Sequence, residues 1–269
     1  MRQLLAPTGL KQFMDRRKFA RTMAGAIGAA TMLKHTAWTE ELRASRSGIE
    51  AIAFDGFVIF DPRAVERRVK EHLPDRSVEF ANLWRTRQFD YCWLRTIGGK
   101  YADFWQVTDD ALRYAANSFK IPLTGAQHDD LMDAYRNLPP WPDVRDGLAE
   151  LRRHGIRLAF LSNFTAEMLD VNLKAAGLSG FFEPHLTTDR VKAYKPSPRA
   201  YQMGPEGFGL QKSSIAFAAF AGWDALGATW FGYPTVWVNR GEAPLEELNA
   251  RPDVIAKDLN GLVEFVRRS

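Results

Sequence analysis

"IEAIAFDGFVIFDP", residues Ile49 to Pro62, is the stretch on which the fold turns. Ala51, Ile52, Ala53 and Phe54 form an unbroken apolar run that ends on one carboxylate, Asp55. From there the chain stays small or apolar until Asp61. A short uninterrupted apolar run reads as a strand buried on both faces, as in a parallel sheet. An acid at the end of such a strand has two readings. It can cap the turn that follows, or it can be a working group at the carboxyl edge of the sheet, where open α/β folds hold their ligands.

The rest of the chain favours such a sheet. After the proline-rich break "PPWPD", Pro139 to Asp143, strand-like and helix-like segments alternate. "DVRDGLAELRRHG" reads as a helix ended by Gly155, Ile156–Leu161 as a buried strand, and "AEMLDVNLKAAG" as a helix ended by Gly177. "HLTT" is a short strand, "PRAYQMGPEGFG" includes a helix, "SSIAFAAFAGWD" is a strongly buried strand, "DALGATWFG" a helix, "PTVWVN" a strand, and "LNGLVEFVRRS" a last helix. This alternation predicts a Rossmann-like α/β core with a parallel sheet covered on both faces. Between the first strand and the break the pattern is helical throughout: Phe80, Leu83, Trp84, Tyr91 and Leu94 recur at helical spacing. "VTDDALRYAANSF" reads as a helix opening on Thr108 as N-cap, and "HDDLMDAYRNL" as another helical stretch. The expected organisation is a core of residues 48–64 plus 140–269, a helical cap over residues 65–139, and a leader and linker over residues 1–47. At the carboxyl ends of its strands this core would present Asp55, Ser162–Asn163 and Asp224.

A chain of 269 residues with 46% hydrophobic and 25% charged residues is long enough to bury a sizeable core. The net charge of +4 is spread along the chain, and no long basic run suggests nucleic acid. One cysteine, Cys92, rules out an intramolecular disulfide and a cysteine-rich metal site, and its apolar helical setting reads as a packed thiol. The histidines show no ligand spacing, and no P-loop or dinucleotide fingerprint occurs. No metal or cofactor is expected. The N-terminal "MDRRKFARTMAGAIGAATML", Met14 to Leu33, resembles a twin-arginine export signal: Arg16 and Arg17, then Phe19, then a weakly apolar small-residue stretch. Asp15 and Arg21 depart from the usual residues; a basic amphipathic helix is the other reading, and Met14 is a second candidate start.

Taken in order, Asp55, Ser162–Asn163, Lys195 in "YKPSPRAY" and Asp224 resemble the haloacid dehalogenase (HAD) superfamily. "LWRTRQFDYCWLRT", followed by "YADFWQVTDDAL", resembles the cap of the L-2-haloacid dehalogenases; "LSNF", "YKPSPRAY" and "WDALGATWFGYPTVWVNR" match that family as well. The resemblance spans about residues 49–268 and implies metal-independent hydrolysis of short (S)-2-haloacids to (R)-2-hydroxyacids through an aspartyl ester. It implies Asp55 as nucleophile and Arg85 as the cap arginine that meets halide and substrate. Ser162 and Asn163 would bind the substrate carboxylate, Lys195 would keep the nucleophile ionised, and Asp224 would orient Lys195 or the hydrolytic water. Tyr201 matches a site tyrosine, and Phe89, Phe104 and Trp223 fall where the family builds its apolar pocket; core packing is the other reading of these four. The partners implied are a small 2-haloalkanoate or related organic anion, the twin-arginine machinery, and a second copy in a homodimer.

Three positions depart from the family pattern. The turn after Asp55 is one residue shorter than the family's and lacks its threonine, with Val58 or Ile59 in that place. Ala219 and Ala221 stand where the family has a serine and an asparagine. Removing one preorganised donor costs roughly 100-fold or more in rate, so ester hydrolysis is the exposed step. Two alternatives follow: a silent HAD-fold protein that binds a small organic anion, or a hydrolase for a different small substrate. A phosphatase would need a second carboxylate where Phe57 stands. Replacing Arg16 and Arg17 by lysine is expected to abolish export; unchanged periplasmic delivery in a cell fractionation would reject the twin-arginine reading.

Overall fold

The computed structural model describes residues 48–269, which form one compact unit. The twin-arginine stretch with Arg16 and Arg17 lies outside the described residues.

The apolar run after Ile49 becomes strand β1, Ala51–Phe54, with every residue fully buried. The alternation of side chains across a strand explains why no polar residue interrupts it. Ile52 and Phe54 point into one apolar layer, and Ala51 and Ala53 into the other. Five parallel strands complete the sheet: β2 (Arg157–Ser162), β3 (Leu186–Thr187), β4 (Ile215–Ala219), β5 (Thr235–Val238) and β6 (Val254–Ala256), in the order β3-β2-β1-β4-β5-β6. β1 lies between β2 and β4, with Ala53 beside both Ala159 and Phe217. The order of strands reverses at β1, which makes its carboxyl end the crevice of a doubly wound sheet.

Short β6 was not expected from the sequence. It is an edge strand of three residues with Ile255 half exposed, too short and too wet to show a period. The segment expected to include one helix, "PRAYQMGPEGFG", forms two short ones, α8 (Pro198–Tyr201) and α9 (Met203–Phe208).

Directly after β1, Asp55 caps a single helical turn, α1 (Gly56–Ile59), by accepting from Phe57 N at 3.0 Å. The interval before β2 holds α2 (Arg63–His72), α3 (Ser77–Ile97), α4 (Phe104–Phe119), α5 (Gly125–Asp133) and α6 (Val144–Arg153). The N-cap of α4 is Asp103, which accepts from Gln106 N at 2.8 Å. Thr108, expected in that role, lies one turn inside: its hydroxyl donates to Phe104 O at 2.6 Å and accepts from Gln88 Nε2 at 2.6 Å. The apolar stripe of α4 already begins at Phe104 and Val107, so the helix starts where burial starts. Thr124 and Gln127 open α5 with a capping box. Of the remaining helices, α7 (Ala166–Ala175) follows β2, α10 (Gly222–Phe231) follows β4, and α11 (Leu259–Arg268) ends the chain.

One close approach holds α10 against the segment behind it. A Cβ on Gly227 would collide with Tyr201 Oη and lie 2.8 Å from Cβ of Pro196. Gly227→Ala is expected to destabilise the protein by about 1–3 kcal/mol through overpacking, measured as a lower denaturation midpoint at unchanged slope; a midpoint equal to the native protein's would show that α10 and Tyr201 can separate freely.

Candidate active site

Three strand ends and one loop build the site. Asp55 follows β1, Ser162 ends β2 with Asn163 after it, Asp224 stands in the first turn of α10 after β4, and Lys195 comes from the loop before α8. Lys195 has no solvent exposure, and its ammonium donates to Asp55 Oδ1 at 2.8 Å and to Asp224 Oδ2 at 2.7 Å. Burial by itself would lower the Lys195 pKa, but the two carboxylates outweigh it and hold the group above its ordinary value. Asp224 is pushed up to about 6 by burial, against the pull of Lys195 and helped by the charge of Asp55. One ammonium serves two carboxylates, and Asp224 is the more deeply buried of the two.

The lysine is pinned by its backbone as well. Lys195 N donates to Asn163 Oδ1 at 3.1 Å, and its carbonyl accepts from Trp93 Nε1, on α3, at 3.2 Å. Ser162 Oγ accepts from Phe164 N at 3.1 Å, so the pair after β2 serves the local turn as well as facing the cavity. Tyr201 lies behind Asp224: its hydroxyl is 2.7 Å from Oδ1, and burial together with the Asp224 charge holds its pKa well above the ordinary value. It does not line the cavity, which places the expected substrate-binding tyrosine in support of Asp224 instead.

Above this buried pair lies a cavity of about 520 Å³. Asp55, Ser162, Asn163 and Asp224 line it, as do Arg85, Phe89, Phe104 and Trp223. Arg85 is exposed on α3, and its guanidinium donates to Asn82 Oδ1 at 2.8 Å. Phe89 meets Trp223 edge to face at 5.4 Å, and Phe104 stacks on Phe164 at 5.3 Å. Sequence reasoning missed Trp93, Phe57, Phe220, Trp141 and Arg240, which line the same cavity. Trp93 falls in the "LWRTRQFDYCWLRT" segment already singled out, and Arg240 ends "WDALGATWFGYPTVWVNR", so both were legible there; Trp141 reaches the cavity from a loop, and no periodicity marks it. Ala221 lines the cavity, while Val58, Ile59 and Ala219 are fully buried, so the positions expected to lack the family's polar side chains are hydrocarbon in place.

Residues 26–231 match the family described as haloacid dehalogenase-like hydrolase. An (S)-2-haloacid dehalogenase of Pseudomonas sp. (strain YL) is 39% identical over 218 residues, 81% of this chain and 94% of the relative. The chain belongs to the L-2-haloacid dehalogenase family of the HAD superfamily. Solved structures of the same kind agree. The L-2-haloacid dehalogenase RSc1362 superposes with a TM-score of 0.80 at 38% identity, covering 82% of this chain and 100% of that one. The L-2-haloacid dehalogenase of Xanthobacter autotrophicus with chloropropionic acid covalently bound gives 0.74 at 29% identity, covering 81% and 98%.

The buried acid of this family member generates a pH prediction. Unfolded, Asp224 titrates near 3.8; folded, near about 6. Between these values the folded state holds a proton that the unfolded state lacks. The stabilising contribution is therefore full below the lower value and is lost as pH rises through about 6. Asp224→Asn is expected to remove that slope from urea-unfolding free energies followed across about pH 4 to 7; a slope equal to the native protein's would place the titration on another group.

Proposed function

We propose that this protein is a hydrolytic, metal-independent (S)-2-haloacid dehalogenase. The observation that carries the proposal is the fully buried Lys195 bridging Asp55 and Asp224 at the floor of an apolar cavity with Arg85 on its wall. An oxygen nucleophile that must attack carbon has to be ionised, and an adjacent buried ammonium favours that form. Asp55 attacks C2 of the 2-haloacid from the face opposite the halogen. The new C–O bond forms as the carbon–halogen bond breaks, and the halide leaves with the electron pair. Arg85 meets the departing halide, and Ser162 and Asn163 hold the substrate carboxylate. Water then attacks the ester carbonyl of Asp55. The carboxylate is restored, a proton is released, and the 2-hydroxyacid departs with inverted configuration at C2. Asp224 and Lys195 support this second step.

A second reading rests on Val58 and Ala219, both fully buried, and on Ala221 at the cavity wall. With hydrocarbon at these positions fewer donors surround the ester, so the second step is the slow one, and in the extreme the protein holds its organic anion without turnover. The proposal extends to a homodimer, supported by the exposed Leu94 and Ile97 on α3 and Tyr114 on α4, and to twin-arginine export, supported by Arg16 and Arg17.

Chloride release from L- and D-2-chloropropionate, with Asp55→Asn as control, tests the reading. Continuous release from the L-form alone is expected. Release no greater than that of the variant rejects dehalogenation of this substrate. One equivalent of chloride with a mass adduct on Asp55 and no turnover selects the second reading.

A further inference from the structure

The turn that carries the nucleophile has no polar side chain of its own between Asp55 and Asp61. At the ends of α1, Val58 N donates to Asp55 O at 3.2 Å and Phe60 N to Gly56 O at 3.0 Å. A helix this short leaves its last carbonyls without internal partners, and such groups need donors from elsewhere. Here they find them in two other parts of the chain. Trp141 Nε1 donates to Phe57 O at 3.0 Å, Arg240 Nη2 to Val58 O at 3.1 Å, and Trp141 N to Ile59 O at 3.1 Å.

These donors are themselves fixed. Arg240, with its side chain 7% exposed, makes a two-pronged pair with Asp143 at 2.8 and 3.0 Å, and Asp143 accepts in addition from Leu259 N at 2.8 Å. The Trp141 ring packs against the guanidiniums of Arg240 and Arg63, 4.7 and 4.5 Å from its centroid. The chain thus runs from α11 through Asp143 and Arg240 to the peptide of Val58, and through Trp141 to the peptides on either side. The next link is the nucleophile itself, because Phe57 N holds Asp55 Oδ2 at 3.0 Å. Only a planar fork can bond Asp143 with both nitrogens and still reach a carbonyl, a geometry lysine does not supply.

We infer that Trp141 and Arg240, anchored by Asp143, are positioning residues for Asp55, holding from outside a nucleophile turn that is short and apolar. The turn has no hydroxyl of its own to order it; the brace fixes the peptide on the carbonyl side of Phe57, one link beyond the amide that donates to Asp55, and so restrains the aim of the Asp55 carboxylate. This inference rests on the dehalogenase reading for its catalytic consequence and on the hydrogen bonds alone for its structural one.

Two variants and two readouts test it: Arg240→Lys, which keeps a cation beside Asp143 but not the fork, and Trp141→Phe, which keeps a ring but not the indole N–H. Halide release from L-2-chloropropionate is expected to lose about 10- to 100-fold in kcat, with KM changed by less than about threefold, because misplacement of a reacting group costs rate more than binding. Amide hydrogen exchange at Phe57, Val58 and Phe60 is expected to quicken in both. Unchanged exchange, or quicker exchange with unchanged kcat, overturns the inference; so does a rise in KM at constant kcat, which would make Arg240 a substrate contact. If the native protein releases no halide, the dehalogenase reading fails separately, and exchange alone decides the brace: quicker in the variants upholds it, unchanged rejects it.

Discussion

A fully buried ammonium between two carboxylates organises this protein. Taking a lysine out of water costs several kcal/mol unless opposite charge and hydrogen bonds replace the solvent. Lys195 has both, from Asp55 and Asp224. The arrangement works only if the ends of β1 and β4 lie side by side and the loop before α8 reaches beneath them. Asn163, Trp93 and Tyr201 each fix one part of it: the lysine amide, the lysine carbonyl and the far oxygen of Asp224. The strand order, the buried tyrosine and the cap tryptophan are therefore parts of one electrostatic constraint. Removing the tyrosine leaves the buried Asp224 short of a donor, and removing the tryptophan leaves the Lys195 carbonyl short of one.

The apolar surroundings act in two directions. Excluding water strengthens the attraction between Lys195 and the two carboxylates it bridges. The side chains of Val58, Ile59, Ala219 and Ala221 offer no donors to the ester-cleavage step of the proposed mechanism. In the proposed mechanism the first chemical step is thus well furnished and the second is lean. The external hold on the nucleophile turn by Trp141 and Arg240 belongs to the same picture, because a turn without polar side chains must take its order from outside.

Much of the fold was legible because its strands are buried on both faces. Continuous apolar runs such as Ala51–Phe54 and Ile215–Ala219 stand out from any helical pattern. β6 escaped because an edge strand with a half-exposed isoleucine carries no such signature. The start of α4 was misread because Thr108 looks like a cap locally, while tertiary burial of Phe104 moves the beginning back to Asp103. Tyr201 carries two readings in the sequence, site residue or core packing, because a tyrosine six residues past the lysine says nothing of which side of Asp224 it will occupy.

By itself the sequence determined the parallel sheet, the strand ends that carry Asp55, Ser162–Asn163 and Asp224, and the family, because apolar period and short motifs are local properties of the chain. The resemblance implied that Lys195 serves Asp55 and Asp224, but only the tertiary structure decided how these charges meet and what holds them. Lys195 lies 140 positions from Asp55, and the Arg240–Val58 bond joins residues 182 positions apart. Pairings over such separations depend on how the strands are ordered and how far each loop reaches in three dimensions, and no periodicity along the chain encodes them.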